Sequence, residues 1–286
     1  MKLSSLKQEI LQELAITPRA EYCTRQIIMS VAPMSEAEYY LGEAELSKRA
    51  EGKIRSLAGK RKNGTPLSYC LGVAEFMGFQ FSVGRGVLIP RPETELLVES
   101  VLEIFKGKPS INFADWCSGS GCIGLSILKI RSTGQDFCTF VEKSSRAIRW
   151  NRQNIRKFAL GNCTKILQNK NVTDADFPLH CLDLITANPP YVARGDLEGL
   201  MPEVKDFEPR MALDGGKDGV KIYKKLFTAG QSFLKDGGIL ATEAAGAAQI
   251  SLLEKMWQDK FELIKIIKDY ADIPRHIILK RKKSAS

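Results

Sequence analysis

The tetrapeptide Asn188-Pro189-Pro190-Tyr191 holds the residues best suited to chemistry in this chain. It follows an apolar run, residues 181–187, that predicts a buried strand. Proline fixes φ at about −65° and has no N–H, so the carbonyl oxygens of such a corner are rigid and free to accept hydrogen bonds. The asparagine adds a side-chain carbonyl oxygen. These acceptors could hold both hydrogens of a planar –NH2 group, and an amide or aromatic amine held in this way can be methylated on nitrogen.

A glycine-containing loop is the second candidate site, because Pro-Pro after a strand is often only a turn. The loop Asp115-Trp-Cys-Ser-Gly-Ser-Gly121 lies between a predicted strand and a predicted helix. Glycine permits a tight turn and a close approach of backbone to ligand. We therefore predict cofactor contacts from the residues at the end of this loop, which are Cys117, Ser118, Gly119, Ser120 and Gly121. Glycines also close ordinary turns, so the loop alone does not define a ligand.

An acidic residue, Glu142, ends the next predicted strand, 21 residues beyond Gly121. A carboxylate there can accept both hydroxyls of an adenosine ribose, although it could also be a solvated strand end. The loop lacks the Lys-Ser/Thr pair of a P-loop, which disfavours ATP. S-Adenosylmethionine has no phosphates and needs only such an acid and a close backbone loop. The loop, Glu142 and Asn188 all follow predicted strands, and the carboxyl ends of parallel strands meet at the ligand-binding edge of a sheet.

The elements that must position these residues alternate between strand and helix from about residue 110 onward. The candidate strands are 111–117, 137–142, 164–168, 181–187, 237–243, 261–268 and 275–281, and the candidate helices are 121–132, 145–159, 217–235 and 247–259. This alternation predicts an α/β fold with a Rossmann-like, mostly parallel sheet of seven strands. Only residues 270–274 separate the last two strands, which is too short for a helical crossover, so this pair should be antiparallel.

The chain before residue 91 has a different pattern. Residues 1–72 place apolar side chains at helical spacing and a candidate helix N-cap at Ser35, which predicts a bundle of three to five helices. Residues 73–90 alternate aromatics with glycines, which predicts a β-hairpin linker. Residues 91–286 then form the predicted catalytic domain, which starts with a helix that carries Pro92 in its first turn.

Composition narrows the class of protein. The chain of 286 residues is 44% hydrophobic and 26% charged, as expected for a globular domain or two, and no apolar stretch is long enough for a membrane span. The N-terminus lacks the apolar core of a signal peptide, so we expect a cytoplasmic protein with seven free cysteines. Two histidines make a metal site improbable. The net charge of +9 favours polyanions or an acidic or RNA-bound partner.

Several short segments, spread over nearly the whole chain, carry a resemblance to a known family. They are Pro66-Leu-Ser-Tyr-Cys-Leu-Gly72, Val87-Leu-Ile-Pro-Arg-Pro-Glu-Thr-Glu95, Asp115-Trp-Cys-Ser-Gly-Ser-Gly-Cys122, Asn188-Pro-Pro-Tyr191, Phe207-Glu-Pro209, Ala212-Leu-Asp-Gly-Gly216 and Asp218-Gly219. These segments resemble the signature of the HemK/PrmC family, the release factor glutamine methyltransferases. Asn-Pro-Pro-Tyr alone also occurs in adenine methyltransferases, so the flanking segments make the resemblance specific.

The resemblance implies a class I methyltransferase with an N-terminal helical domain for substrate recognition. Its cofactor would be S-adenosyl-L-methionine, which leaves as S-adenosyl-L-homocysteine, and its substrate the glutamine of the Gly-Gly-Gln motif in peptide-chain release factors. Asn188 would then contact both cofactor and substrate. Some family members cover the adenine with a tryptophan after the third strand. That stretch has no aromatic residue here, and we assign the position to Asn171.

Two other functions remain open from the sequence. An adenine methyltransferase acting on nucleic acid would also grip a planar –NH2 group, but residues 1–72 are not rich in stacking aromatics. A non-catalytic ribosome- or RNA-associated binding module could keep the fold without the activity. We expect a monomer that needs no nucleic acid, no metal and no membrane.

Overall fold

A computed structural model describes residues 1–168 and 177–283 of the chain. The chain forms two compact units, one of Met1–Ala74 with Met201–Phe207 and the other of Glu75–Leu200 with Glu208–Ser286. The sequence gives no sign that a segment as distant as residues 201–207 belongs with the first unit.

The first unit is helical. Its helices are α1 (Leu3–Glu13), α2 (Ala20–Val31), α3 (Glu36–Leu41), α4 (Lys48–Lys62) and α5 (Leu67–Leu71), joined by the short helix α9 (Pro202–Lys205). The apolar stripes of the first four pack into one core. Ser35 caps α3 as predicted, since its hydroxyl accepts from the Glu38 N–H while the Glu38 carboxylate accepts from the Ser35 N–H, a reciprocal capping box.

A buried ion pair holds the 201–207 segment within the first unit. The Arg61 guanidinium is only 4% exposed and lies 2.5 Å from the Glu203 carboxylate, while it also donates to the carbonyl of Thr65. Phe207 packs against Gly64, where a Cβ would come within 3.3 Å of its ring. Glu203 is 36% exposed, so the cost falls on Arg61: removing the Glu203 carboxylate would leave the buried Arg61 charge without its anion, which typically costs about 3–5 kcal/mol.

The second unit is built on a sheet of seven strands in the order β5-β4-β3-β6-β7-β9-β8. The strands are β3 (Asn112–Trp116), β4 (Phe137–Glu142), β5 (Thr164–Gln168), β6 (Leu182–Ala187), β7 (Leu234–Glu243), β8 (Phe261–Lys268) and β9 (Pro274–Arg281). The first five strands are parallel, and β9 runs antiparallel to both β7 and β8. The predicted α/β sheet and its antiparallel last pair are confirmed.

Helices cover both faces of this sheet, as the apolar strands require. They are α6 (Pro92–Ile104), α7 (Cys122–Arg131), α8 (Ser145–Lys157), α10 (Lys221–Phe233) and α11 (Ala247–Trp257). One core lies between the sheet and α10 and α11, and the other lies between the sheet and α6, α7 and α8. The hairpin of β1 (Val73–Phe76) and β2 (Phe79–Ser82) precedes α6, and Pro92 occupies the first turn of that helix. In the described part of the chain, no helix combines the length and apolar character that a bilayer span demands.

Candidate active site

A cavity of about 400 Å³ lies in the second unit at the carboxyl ends of β3, β4 and β6. Its volume is within the range of small-molecule sites, about 300–1,000 Å³. Cys117 and Gly119 line it from the loop after β3, Glu142 from the end of β4, and Asn188 and Pro190 from the corner after β6. The three predicted segments therefore meet at one cavity, because parallel strands present their carboxyl ends at the same edge of the sheet.

The loop after β3 is held in a left-handed backbone conformation. Gly119 and Gly121 have φ of 55° and 81°. Cys117 has a φ of 56°, a conformation that residues other than glycine seldom adopt. A Cβ at Gly121 would lie 3.0 Å from the side chain of Asn151, so that glycine also allows close packing on α8. The loop therefore needs glycine at Gly121 for both conformation and space.

Two buried asparagines of α8 support this loop from behind. Asn151 donates to the Ser118 hydroxyl over 3.2 Å, and Asn154 donates to the Ser120 carbonyl over 3.0 Å. Ser118 and Ser120 are accordingly buried and do not line the cavity, and neither does Gly121. Their predicted contacts to a cofactor stay predictions, whereas their packing shows how the sequence fixes the shape of the loop.

Glu142 is buried at the mouth of the loop and binds three backbone N–H groups. One carboxylate oxygen accepts from Lys143 over 2.8 Å and from Ser144 over 2.7 Å, and the other accepts from Gly119 over 2.9 Å. Burial raises the pKa of the Glu142 carboxyl, and the three N–H donors oppose that rise. The oxygen bound to Gly119 keeps a lone pair that a ribose hydroxyl could use.

A chain of hydrogen bonds orients the amide of Asn188. Thr94 is 1% exposed and donates its single hydroxyl proton to the Glu243 carboxylate over 2.6 Å. Its oxygen can then only accept, and it accepts from the Asn188 Nδ2 over 3.2 Å. The amide nitrogen therefore points to Thr94, and the Asn188 Oδ1 is left available as an acceptor. This is the orientation that binding an –NH2 group requires.

Tyr191 is tied to the same carboxylate. Its hydroxyl donates to the second Glu243 oxygen over 3.2 Å, and burial, followed by the charge of Glu243, raises the pKa of the Tyr191 phenol. The phenol therefore keeps its proton and remains a donor. Glu243 is 2% exposed and also lies 3.5 Å from His276. One buried carboxylate thus fixes both ends of the Asn188–Tyr191 corner.

Glycines of the following loop pack directly on the backbone of this corner. A Cβ at Gly215 would lie 2.8 Å from the Pro190 carbonyl oxygen, and one at Gly219 would lie 2.6 Å from the Tyr191 carbonyl oxygen. Both distances are far below van der Waals contact. Gly219 also has a φ of 74°, which a side chain rarely adopts. The second glycine-rich segment is therefore required for the close fit around Pro190 and Tyr191.

Asp115 supports the site from beneath the sheet edge. It is fully buried and accepts from the Thr186 hydroxyl over 2.9 Å and from the Gly124 N–H over 3.2 Å. Burial raises the pKa of the Asp115 carboxyl to about 7, against the effect of these two donors. Asp115 does not line the cavity, so its role is to connect β3, β6 and α7 below the loop.

The volume and the lining residues of the cavity suit S-adenosylmethionine. Gly119 lets the backbone approach a ligand, Glu142 offers a carboxylate at the end of β4, and Val87 and Leu88 add apolar wall. Pro189 is buried and Tyr191 is partly buried, and neither lines the cavity. Asn171, the residue predicted to cover the adenine, lies outside the described residues.

Sequence reasoning missed Thr94 and Glu243. Thr94 lies within the Pro-Glu-Thr-Glu segment, and Glu243 is the last residue of β7. An acidic residue at the end of a predicted strand was the only feature that could have marked Glu243 as a site residue. The two residues are 149 positions apart, and only the packing of α6 against the sheet brings them together.

Comparison with known proteins agrees with this geometry. The sequence model of a family described as "Conserved hypothetical protein 95" matches residues 84–210. The release factor glutamine methyltransferase of Thermodesulfovibrio yellowstonii is 34% identical over 262 residues, which are 91% of this chain and 92% of that protein. The enzyme of the same name from Clostridium botulinum is 37% identical over 85% of this chain and 84% of its own. Pyrococcus horikoshii TYW2, solved in complex with MeSAdo, has a TM-score of 0.51 at 15% identity and covers 74% of this chain and 71% of its own, which shows a shared fold.

The strand order, the antiparallel last pair and the cavity at the carboxyl edge of the sheet are those of the class I methyltransferase fold. Within that class the identity to curated relatives extends over nearly the full length of both chains. The chain belongs to the release factor glutamine methyltransferase family.

Proposed function

We propose that this protein transfers a methyl group from S-adenosylmethionine to the side-chain amide nitrogen of the glutamine in the Gly-Gly-Gln motif of class I peptide-chain release factors. The observation that carries the proposal is the position of Asn188, which lines the same cavity as Gly119 and Glu142 and has its Oδ1 available. The names of the curated relatives support the substrate.

The residues of the corner after β6 bind and orient the substrate amide. S-Adenosylmethionine supplies an electrophilic methyl group on a sulfonium when it is bound. The Asn188 Oδ1 accepts one amide hydrogen, and the backbone carbonyl of Pro189, which lies between the lining residues Asn188 and Pro190, accepts the other, so that the nitrogen lone pair is aligned. An amide nitrogen is a weak nucleophile, so this positioning is the main contribution of the protein.

The same acceptors stabilise the positive charge that develops on nitrogen during transfer. Pro190 keeps the corner rigid, and Tyr191, fixed by Glu243, shapes the pocket for the amide plane. Gly119 and Glu142 would hold the methionine and ribose parts of the cofactor. The methylated nitrogen then loses one of its protons to solvent, and no basic side chain is needed before transfer.

The proposal extends to the partner and the setting of the reaction. The helical unit, predicted over residues 1–72, recognises the release factor, and the segment 73–90 links it to the catalytic domain over 91–286. We expect a monomeric, cytoplasmic enzyme that needs no nucleic acid for methylation. The lack of a membrane-spanning helix in the described ranges 1–168 and 177–283 is consistent with that setting.

The test is incubation of the purified protein with methyl-labelled cofactor and a release factor, followed by mass spectrometry of the Gly-Gly-Gln peptide. We expect one methyl group on the glutamine and none when that glutamine is replaced by glutamate. Adenine-containing RNA and DNA serve as competing substrates. Label in nucleic acid would favour the adenine methyltransferase, and no label in any substrate would favour a binding module.

Asn188→Ala tests the proposed amide grip. The loss of one preorganised polar group typically lowers kcat by about 100-fold or more, and cofactor affinity should change little. Asn162→Ala, at an exposed asparagine outside the site, is the matched control and should keep full activity. An Asn188→Ala variant as active as the control would contradict the mechanism.

A further inference from the structure

The chain around helix α8 has an unusually one-sided charge. Residues 143–165 contain seven lysines and arginines and no aspartate or glutamate. The whole protein has a net charge of +9, so this short stretch accounts for a large part of the excess. Lys143 lines the cavity, but the arginines of α8 are not among its lining residues, and the proposed methylation does not explain them.

The helix divides into a buried face and an arginine face. Its buried residues are Ala147, Ile148, Asn151, Asn154 and Ile155, which pack on the core and on the cofactor loop. Arg149, Arg152 and Arg156 are exposed. At about 100° and 1.5 Å per residue, the three lie within an arc of about 60° and a length of about 10 Å. We call these three residues the arginine face.

The guanidinium groups of the arginine face have no carboxylate partner among the residues that the structure describes. Within the described ranges of the chain, none of the three has a carboxylate within 4.0 Å. Eight arginines elsewhere each have one at or below that distance. Half of the sixteen arginines of this protein are thus neutralised locally, whereas α8 presents three adjacent charges that an external anion could neutralise.

We propose that the arginine face binds the phosphodiester backbone of a nucleic acid. Arginine forms paired hydrogen bonds with phosphate, and it stays charged at all physiological pH values. A row of like charges on one helix fits a ligand with regularly repeated negative charge. The surface of a folded protein partner usually carries both signs of charge. The stretch 143–165 has no acidic residue that could pair with the basic residues of such a partner.

Such a contact depends on charge and is independent of base sequence. A phosphate-bound surface of this kind shows a linear fall of log affinity with log salt, by about 0.7–0.9 per phosphate contacted. The proposal adds a binding surface to the second unit and leaves the methylation chemistry unchanged. It therefore stands or falls separately from the proposed function.

The test measures binding of fluorescent single-stranded RNA, duplex RNA and DNA by anisotropy between about 50 and 200 mM salt. The triple variant R149Q/R152Q/R156Q should weaken binding at least about tenfold at low salt and lower the salt slope by roughly 2 to 3. Comparison of the affinities for single-stranded RNA, duplex RNA and DNA identifies which nucleic acid is preferred.

The matched control is K224Q/K255Q/K260Q, which removes the same charge from exposed positions elsewhere in the second unit. We expect it to change the salt slope by less than about one. Equal losses in the two triple variants would mean that only net charge matters and would overturn the proposal. No binding by the unaltered protein, or equal competition by polyglutamate of the same charge, would also overturn it.

Methylation of the release factor without nucleic acid is measured in parallel and should be unchanged in R149Q/R152Q/R156Q. If the triple variant fails to fold, the three single Arg→Gln variants carry the test, each with a slope reduced by about one. Binding without methylation would refute the proposed function and leave this inference intact, and methylation without binding would do the reverse.

Discussion

Replacing Thr94 by valine should lower turnover, although Thr94 is not itself among the residues that line the cavity. Valine has nearly the shape of threonine but lacks the hydroxyl, and the site is 1% exposed. The change removes two bonds at once, the 2.6 Å bond to Glu243 and the 3.2 Å bond from Asn188. Without the Thr94 hydroxyl, the Asn188 amide has no acceptor that holds its nitrogen on that side, so its Oδ1 is no longer directed towards the substrate.

The expected size of the effect follows from these bonds. A hydrogen bond to a charged group contributes about 1.5–3 kcal/mol, and a neutral one contributes about 0.5–1.5 kcal/mol. If the larger contribution fixes the orientation of the corner, its loss lowers kcat by about 10- to 100-fold, at about 1.4 kcal/mol per decade. Cofactor affinity should change little, because Thr94 does not line the cavity.

The assay is steady-state methylation of a release factor together with calorimetric measurement of cofactor binding. Thr94→Ser keeps the hydroxyl and should restore most of the activity. In an Asn188→Ala background, Thr94→Val should have little further effect, because the two residues act through one chain of bonds. The reasoning is refuted if Thr94→Val keeps full kcat, or if its loss in kcat is as large when Asn188 is already absent.

Three further predictions concern the loops and the buried acids. Gly219→Ala would place a Cβ 2.6 Å from the Tyr191 carbonyl oxygen, so it should lower stability by about 2 kcal/mol and remove most of kcat. Gly134→Ala is the control, because Gly134 has a similar φ of 70° and no described heavy atom within 4 Å of the added Cβ. It should lower stability by about 1 kcal/mol and leave the activity unchanged. Equal losses of melting temperature and kcat in the two variants would contradict the contact. Glu142→Ala should weaken cofactor binding by about tenfold or more in calorimetry, and unchanged affinity would remove its assigned role. The pKa of Asp115 is raised to about 7, against an ordinary value of about 3.9. Between about pH 4 and 7 the folded protein therefore keeps a proton that the unfolded chain has released, so stability falls as the pH rises through this range. Relative to Asp115→Asn, the free energy of unfolding in urea should therefore fall by about 3 kcal/mol between pH 5 and 8, and parallel pH profiles would show that Asp115 is not the group.

Patterns along the chain were enough to predict the architecture of the second unit and the main parts of its cavity. Strand and helix periods predicted the seven-stranded sheet, and the short connection at 270–274 predicted its antiparallel last pair. Gly119 and Asn188 follow strands, and Glu142 is the last residue of one. Their meeting could be predicted because strand direction alone decides which ends share an edge.

The orientation of the corner after β6 depends on contacts between residues that are far apart in the chain. Thr94 is a threonine inside a helix and Glu243 an acid at the end of a strand, and neither pattern distinguishes them from many others. Their bond joins residues 149 positions apart, so it depends on where α6 packs on the sheet. Local propensity contains no information about such a distance.

The loop after Asn188 shows the same division. Its glycines predict turns, but the reason that Gly219 must be glycine is a carbonyl oxygen of Tyr191 that only the folded loop brings within reach. The grouping of Met201–Phe207 with the helical unit likewise involves the ion pair between the buried Arg61 and Glu203, which are 142 positions apart. Short-range pattern determined which elements form, and long-range packing determined which atoms meet, because periodicity is a property of neighbours and contact is a property of the whole fold.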